Sequence, residues 1–229
     1  MTISILAYDA ETGTYGGAAT TGSLCVGGWV LRGGAESGLS ASQGSLPSTL
    51  WGTQVLDLMR TGLSAAIAVS EVVDSDAGRA HRQLAAVDRA GGTGHFTGAS
   101  SIPAAGARQG PSVVVTGNLL SGDDVLDACL DGYQKAQGSM AERLIAALNA
   151  AAAAGGDSRG LLSAALLVVS RSAAPLNLRI DYSEQPLQDL ADLHQRATSG
   201  AYGQWSRLVP TLDEPHRAEP YSETVTPAG

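Results

Sequence analysis

The sequence is poor in basic residues, in aromatic residues and in cysteine. Lys and Arg together number 14 against 22 Asp and Glu, which gives a formal net charge of -8. Nucleic-acid-binding surfaces need clustered basic side chains to neutralise phosphates, and the chain contains no basic run. The composition therefore argues against a nucleic-acid partner.

The chain also lacks long hydrophobic runs and the cysteines of a zinc site. No segment approaches the roughly 20 apolar residues that span a bilayer, and the start lacks the charged region of a signal peptide. Cys25 and Cys129 are too few for a structural zinc site, which takes about four ligands at short spacing. We therefore expect a cytoplasmic protein with no membrane partner and no zinc site. The sequence also has no Walker loop, no H-E-x-x-H motif and no dinucleotide-binding fingerprint, so we expect no metal and no organic cofactor.

Glycine and small aliphatic residues are what the sequence has in quantity. There are 29 glycines, whereas aromatic residues make up 4% of the chain and include a single Phe. A core without large rings must be filled by Ala, Val, Leu and Ile at close backbone distances. Closely packed sheets and helices fit this composition.

The hydrophobic pattern predicts blocks of strands that alternate with pairs of helices. Helices are expected from about Leu50, from Ser64, over 123–137 and 139–154, and from Pro186 to about Ala197. Four short strands are expected before the first helix, the third of them over Leu24–Val30. Further strands are expected at 84–88, 95–98, 105–109, 112–117, 161–170 and 176–182.

This order predicts an α+β fold, because strand blocks followed by helix pairs argue against an alternating, doubly wound sheet. Two strand blocks and two helix pairs suggest four layers, with two stacked antiparallel sheets inside and helices outside. We expect one domain over 1–199 and a C-terminal tail over 200–229, docked on the body or contacting another copy.

A glycine-rich loop leads into the most apolar strand. Gly155 and Gly156 precede Asp157 and Arg159, and the run that follows lacks alternation, which is typical of a strand buried on both faces. A loop at the end of a central strand is a reasonable place for a site. The loop pair has two interpretations: a local capping or ion-pair arrangement, or groups that bind a substrate carboxylate or amide.

Several short motifs resemble the bacterial family called domain of unknown function 1028. The motifs are Thr2-x-Ser4-Ile5-x-Ala7-x-Asp9, Thr12-Gly13, Gly117-Asn118-Leu119-Leu120 and Gly155-Gly156-Asp157-x-Arg159-Gly160-x-x-Ser163-Ala164-Ala165-Leu166. The resemblance implies an N-terminal-nucleophile (Ntn) hydrolase-like fold, that is, a four-layer αββα sandwich, and amide hydrolysis as a candidate activity.

In the larger superfamily the first residue of the mature chain is the nucleophile, and its free α-amino group acts as base for its own side chain. Thr2 is the candidate here, provided that Met1 is removed. Its other interpretation is a threonine that simply starts a strand.

Further candidates are polar residues beside predicted strands. Asn118 follows a strand-end glycine and is a candidate donor to an oxyanion, although Asn in a turn usually serves its own backbone. Asp157, Arg159, Gln43 and Arg82 are candidates for substrate binding. His81, His95 and His194 are interpreted as structural, since their spacing does not make a local metal pair.

The sequence thus predicts an Ntn-type hydrolase of a small amide or peptide-like bond, with Thr2 as nucleophile and Asn118 or backbone amides receiving the negative charge. The alternative is a non-catalytic ligand-binding or assembly module on the same scaffold, because fold alone does not decide function. The tail and the oligomeric habit of the superfamily favour a homodimer.

Overall fold

The computed structural model describes residues 2–157 and 159–218. The strands in these residues are β1 (Thr2–Asp9), β2 (Thr14–Thr21), β3 (Leu31–Gly34), β4 (Gly38–Gly44), β5 (Arg82–Val87), β6 (Thr93–Thr97), β7 (Gly106–Gly110), β8 (Val113–Asn118), β9 (Ser163–Val169) and β10 (Leu176–Ile180). The helices are α1 (Val26–Trp29), α2 (Trp51–Arg60), α3 (Ala65–Asp74), α4 (Asp124–Lys135), α5 (Met140–Ala153), α6 (Pro186–Thr198) and α7 (Gly200–Ser206).

The strands form two antiparallel sheets. The larger sheet has six strands in the order β10-β9-β2-β1-β8-β7, and the smaller has four in the order β3-β4-β5-β6. In the larger sheet β1 is central and pairs antiparallel with both β2 and β8. The first strand of the chain is therefore covered on both edges.

The two sheets stack face to face, with helices on both outer faces. Helices α4, α5 and α6 pack on the six-stranded sheet, while α2 and α3 pack on the four-stranded sheet. Three apolar clusters fill the layers: one under each helical layer and one between the sheets. The predicted α+β fold with four αββα layers is confirmed.

Local signals explain where several elements begin. Ser139 caps α5 through a complete capping box with Glu142, and the Ser64 side chain accepts a hydrogen bond at the start of α3. Pro186 occupies the first turn of α6. The run from Ser163 to Val169 is almost fully buried, as its lack of alternation predicts.

The predicted strand over Leu24–Val30 is wrong, because a single helical turn, α1, begins at Val26. A side chain at Gly27 would collide with Arg179 Cγ at 2.7 Å and with Ala165 Cβ at 2.8 Å. The two glycines in α1 therefore let this turn lie directly on β9 and β10, closer than larger residues would allow.

The sheets also do not follow the blocks of the sequence. The first two strands belong to the six-stranded sheet and the next two to the four-stranded sheet, and β5–β8 are divided in the same way. The two strand blocks of the sequence predict one sheet each, and this division is wrong. The hairpins β3-β4 and β5-β6 form the four-stranded sheet, and β1-β2, β7-β8 and β9-β10 form the six-stranded sheet, which brings distant parts of the chain together in each layer.

The segment after Ser199 contains one more helix, α7, although its sequence shows no helical period. The Tyr202 and Trp205 rings lie 5.4 Å apart on this helix. Farther on, Asp213 bonds Arg171 through backbone and side chain, at 3.1 and 2.9 Å. The expected boundary at 199 stays a prediction, and the part of the expected tail over 219–229 lies outside the described residues.

Candidate active site

Four neighbouring strands of the six-stranded sheet begin or end at the same end of that sheet. Because neighbouring strands are antiparallel, the start of β1 lies beside the ends of β2 and β8, and Thr2 is paired with Thr21 and Asn118. The start of β9 joins them, since Ser163 pairs with Thr21. The topology thus gathers residues that are more than 100 positions apart in the chain around the first strand.

The side chains between the two sheets change from apolar to polar towards this end of the sheet. Alternate residues of β1 face the second sheet, so Leu6 lies in the apolar layer and Ser4 lies beyond it. The same change occurs on the other strands that face this layer. The buried polar side chains of this end include Ser4, Gln43, Gln83, Thr116 and Asn118.

Two glutamine side chains join the sheets at the polar end. Gln43 Nε2 donates to the Thr2 carbonyl at 3.2 Å and to Gln83 Oε1 at 3.0 Å, while Gln43 Oε1 accepts from Ser4 Oγ at 2.8 Å. Ser4 has a single hydroxyl proton, so Thr116 donates in their 3.0 Å contact. Gln43 therefore holds the main chain of Thr2 with both protons of its amide in use.

Gln83 is wholly buried and fully engaged. Its Oε1 accepts from Gln43 and, at 2.7 Å, from Asn118 Nδ2, and its Nε2 donates to the Gly117 carbonyl at 2.8 Å and to Thr97 Oγ1 at 3.0 Å. A buried polar network with each member satisfied fixes its parts in one arrangement. Asn118 is thus directed at Gln83.

A cavity of about 610 Å³ opens beside Thr2. Its polar wall includes Thr2, Thr21 and Gln43, and its other wall is largely apolar. The Thr2 hydroxyl donates to Thr21 Oγ1 at 3.3 Å. Cavities of this size hold small-molecule ligands in many proteins. The described lining residues are Thr2, Thr21, Ser23, Leu24, Val26, Trp29, Val30, Ser42, Gln43, Gly44, Leu46, Pro47, Thr49 and Arg82.

Asp157 lies beside the end of β2, where it contacts Gly22, and Arg159 contacts Asp157. The buried Asp157 carboxylate accepts from the Gly22 amide at 2.6 Å, and from the backbone and side chain of Arg159. Burial raises the pKa of Asp157, hydrogen bonds from Arg159 and Gly22 are among the contacts that lower it, and the resulting pKa lies below its ordinary value. Neither Asp157 nor Arg159 is among the described lining residues. Their contacts include an ion pair with each other and the bond from Gly22, which fixes the end of β2.

Ser163 holds the next part of the wall. Its buried hydroxyl donates to the Ser23 carbonyl at 2.8 Å and accepts from the Val26 amide at 3.2 Å. These two hydrogen bonds therefore hold the loop from Ser23 to Val26 against the start of β9. They fix the position of this part of the cavity wall relative to Thr2.

Arg82 reaches the cavity from the opposite face of the smaller sheet. Its guanidinium forms an ion pair with Asp76, donates to the Leu46 carbonyl at 2.9 Å and lies 5.7 Å from the centre of the Trp51 ring. The side chain thus fastens the loop after β4 to the helical layer.

Other ionisable groups lie elsewhere. Among the described lining residues, Arg82 is the one with an ionisable side chain. His81 and His95 are exposed, and His194 is half-buried on α6. Within residues 2–157 and 159–218, no three or more His, Cys, Asp and Glu side chains gather as a metal site would require. The helices described include none that is long and apolar enough to cross a membrane.

Gln83 was named from the sequence, beside Arg82, as a polar residue that could line a cleft, but Ser4, Thr21, Thr116 and Ser163 were not named as site residues. A signal for them existed in the strand alternation. Ser4 and Thr116 take positions that fall in step with the core-facing Leu6 and Val114, so each is a polar residue where an apolar one is expected. Polar residues at core-facing positions near strand ends indicate a buried network or a site.

Comparison with known proteins gives matches to a family and to solved structures. The model of a family of unknown function, DUF1028, matches residues 2–190. A crystal structure of a DUF1028 protein from Silicibacter pomeroyi has 47% sequence identity and a TM-score of 0.91, and the match covers 94% of this chain and 98% of that one. HslV from Trypanosoma brucei has 12% identity and a TM-score of 0.45, and the match covers 74% of this chain and 99% of that one. No curated protein matches. The chain belongs to the DUF1028 family.

Proposed function

We propose that the protein is an Ntn-type hydrolase of a small amide or peptide-like bond, with Thr2 as the nucleophile after removal of Met1. The observation that carries this proposal is the position of Thr2. It lies at the start of the central strand, in the wall of a ligand-sized cavity, with its hydroxyl bonded to Thr21 and its carbonyl held by Gln43.

The α-amino group is the base in this proposal. Once Met1 is gone, the amine of Thr2 is attached to Cα, next to the Cβ that carries the hydroxyl, and an α-amine has a pKa of about 8, so part of it is neutral near pH 7.5. The chain's single lysine, Lys135, is exposed on α4 and does not line the cavity. An amine next to the hydroxyl is therefore the group best placed to take its proton.

The reaction proceeds in two steps. Thr2 Oγ1 attacks the amide carbon as its proton passes to the α-amine, the C–N bond breaks, and the departing amine takes that proton. The product of this step is an ester on Thr2. Water, deprotonated by the same amine, then cleaves the ester to a carboxylic acid and restores the hydroxyl.

The remaining candidate residues have positioning roles in this proposal. Gln43 fixes the main chain of Thr2, and Asn118 supports Gln43 through Gln83. Asp157 and Arg159 fix the end of β2, where Thr21 meets the nucleophile. Arg82 fastens the loop that forms the far wall. The homodimer and the cytoplasmic location stay predictions.

The test begins with the intact mass of protein made in its native host, which must lack Met1. On a panel of small amides, Thr2→Ala is expected to lower kcat by at least about a thousandfold, as removal of a nucleophile does, with its melting temperature nearly unchanged. Thr2→Ser keeps a hydroxyl and is expected to retain activity. Thr53→Ala removes an exposed hydroxyl on α2 and serves as the matched control.

Two results would contradict the proposal. Full activity of Thr2→Ala would place the nucleophile elsewhere. Complete retention of Met1 would leave Thr2 without its base, and would favour the alternative of a binding or assembly module on this scaffold.

A further inference from the structure

Three large apolar side chains stand partly in water around the cavity beside Thr2. Leu24, Trp29 and Leu46 are 55%, 51% and 61% exposed, and all three line the cavity. Large apolar groups that are left exposed around a concave surface often mark a place where a ligand covers them. Val26, Val30 and Pro47 continue this wall inwards.

The backbone that carries Trp29 is held in one conformation. Cys25 has a left-handed backbone, with φ of 60° and ψ of 35°, which is uncommon for a residue other than glycine. The turn persists because Ser163 binds it from below and because its glycines pack against the Arg179 side chain. A wall that is rigid before binding loses little conformational entropy when a ligand arrives.

The cavity offers little to a charged group. Arg82 is the one ionisable side chain among its described lining residues, and its guanidinium already contacts Asp76, the Leu46 carbonyl and the Trp51 ring. The α-amine that the proposed function gives Thr2 is assigned to the scissile bond. A carboxylate or ammonium placed against Leu24, Trp29 and Leu46 would lose hydration without a partner of opposite charge among these apolar side chains. An apolar group has no such hydration to lose, and it would cover exposed apolar surface.

We infer that this cavity binds an uncharged, apolar substituent of the amide substrate, such as an aliphatic acyl chain, against Leu24, Trp29 and Leu46. The inference rests on the proposed function for the word substrate, but the binding preference itself needs no catalysis. The substrates are then amides with an apolar, uncharged group beside the scissile bond.

Calorimetric titration of the full chain carrying Thr2→Ala tests the inference, because this variant does not consume its ligands. The probes are hexanoyl-glycinamide, adipoyl-glycinamide, in which a carboxylate replaces the terminal methyl, and 6-aminohexanoyl-glycinamide, which adds an ammonium. We expect the hexanoyl probe to bind at least about tenfold more tightly than either charged probe, a ratio that one well-placed apolar group can supply.

Two further substitutions on this background locate the preference. Trp29→Ala is expected to reduce the ratio to about one. Trp205→Ala removes a similarly exposed Trp, 43% exposed on α7 and outside the cavity, and is expected to keep the ratio. Both side chains are about half exposed, so circular dichroism is expected to show folded protein for each.

Equal binding of the three probes, tighter binding of a charged probe, no binding of any probe, or an unchanged ratio in Trp29→Ala would each overturn the inference. Failure of the proposed function gives a different result. In that case the hexanoyl preference is present while protein lacking Met1, with Thr2 intact, hydrolyses none of the amides.

Discussion

Replacing Gln83 by Leu tests whether the buried amide network holds the two sheets together at the Thr2 end. Leu is of similar size and has no polar atoms. The substitution leaves three buried groups without the partner they have now: Gln43 Nε2, Asn118 Nδ2 and the Gly117 carbonyl. An orphaned buried polar group costs about 1–3 kcal/mol, and mutual rearrangement relieves part of the sum. We expect the free energy of unfolding to fall by about 3 kcal/mol.

Urea denaturation measures this loss, with Gln109→Leu as the matched control. Gln109 lies exposed on β7 and makes one side-chain bond, to Thr93, so its replacement is expected to change stability by less than about 0.5 kcal/mol. A loss below about 1 kcal/mol for Gln83→Leu would refute the reasoning, since the network would then contribute no more than a surface bond.

Two further predictions concern the elements around this end. The Asp157 carboxyl has a lower pKa in the folded chain than in the unfolded chain, so its ionised form stabilises the fold at pH values above the unfolded pKa of about 4. This contribution is lost as pH falls through the lower folded pKa. The stability difference between the native chain and Asp157→Asn should therefore shrink between pH 7 and pH 2.5, and a constant difference in urea unfolding would contradict this. For Gly16→Ala, the new Cβ would lie 2.4 Å from Met140 Cγ and 2.6 Å from Leu144 Cδ1. We therefore expect the free energy of unfolding, measured by urea denaturation, to fall by about 1–3 kcal/mol. An unchanged stability would mean that α5 can move over β2 without loss.

Elements with a strong periodic or capping signal could be predicted from the sequence. Ser139 with Glu142 marks the start of α5, and the run from Ser163 to Val169 is too uniformly apolar to have an exposed face. Such features depend on residues close together in the chain, which is why local reasoning finds them.

Features that depend on partners far away in the chain could not be predicted. The turn of α1 forms because Gly27 meets Arg179 and Ala165 of the outer strands, about 140 to 150 positions later. The division of consecutive strands between two sheets likewise reflects long-range pairing. α7 escaped notice because it has seven residues, two of them glycine, and so carries little helix propensity.

The candidate site shows the same division. Thr2, Gln43 and Arg82 line the cavity, and all three are candidates named from the sequence. What the sequence could not show is that Asn118 is directed at Gln83, or that Asp157 turns inwards to Gly22. The direction of a side chain depends on the strand register, and a shift of one residue reverses it.

Covalent labelling tests the central claim most directly. Protein lacking Met1 is treated with an electrophile that acylates hydroxyl nucleophiles, such as a β-lactone. The modified peptide is then identified by mass spectrometry. The account predicts a single acyl group on Thr2, and none on protein that retains Met1. Equal labelling of both forms, or a label on another residue, would contradict it.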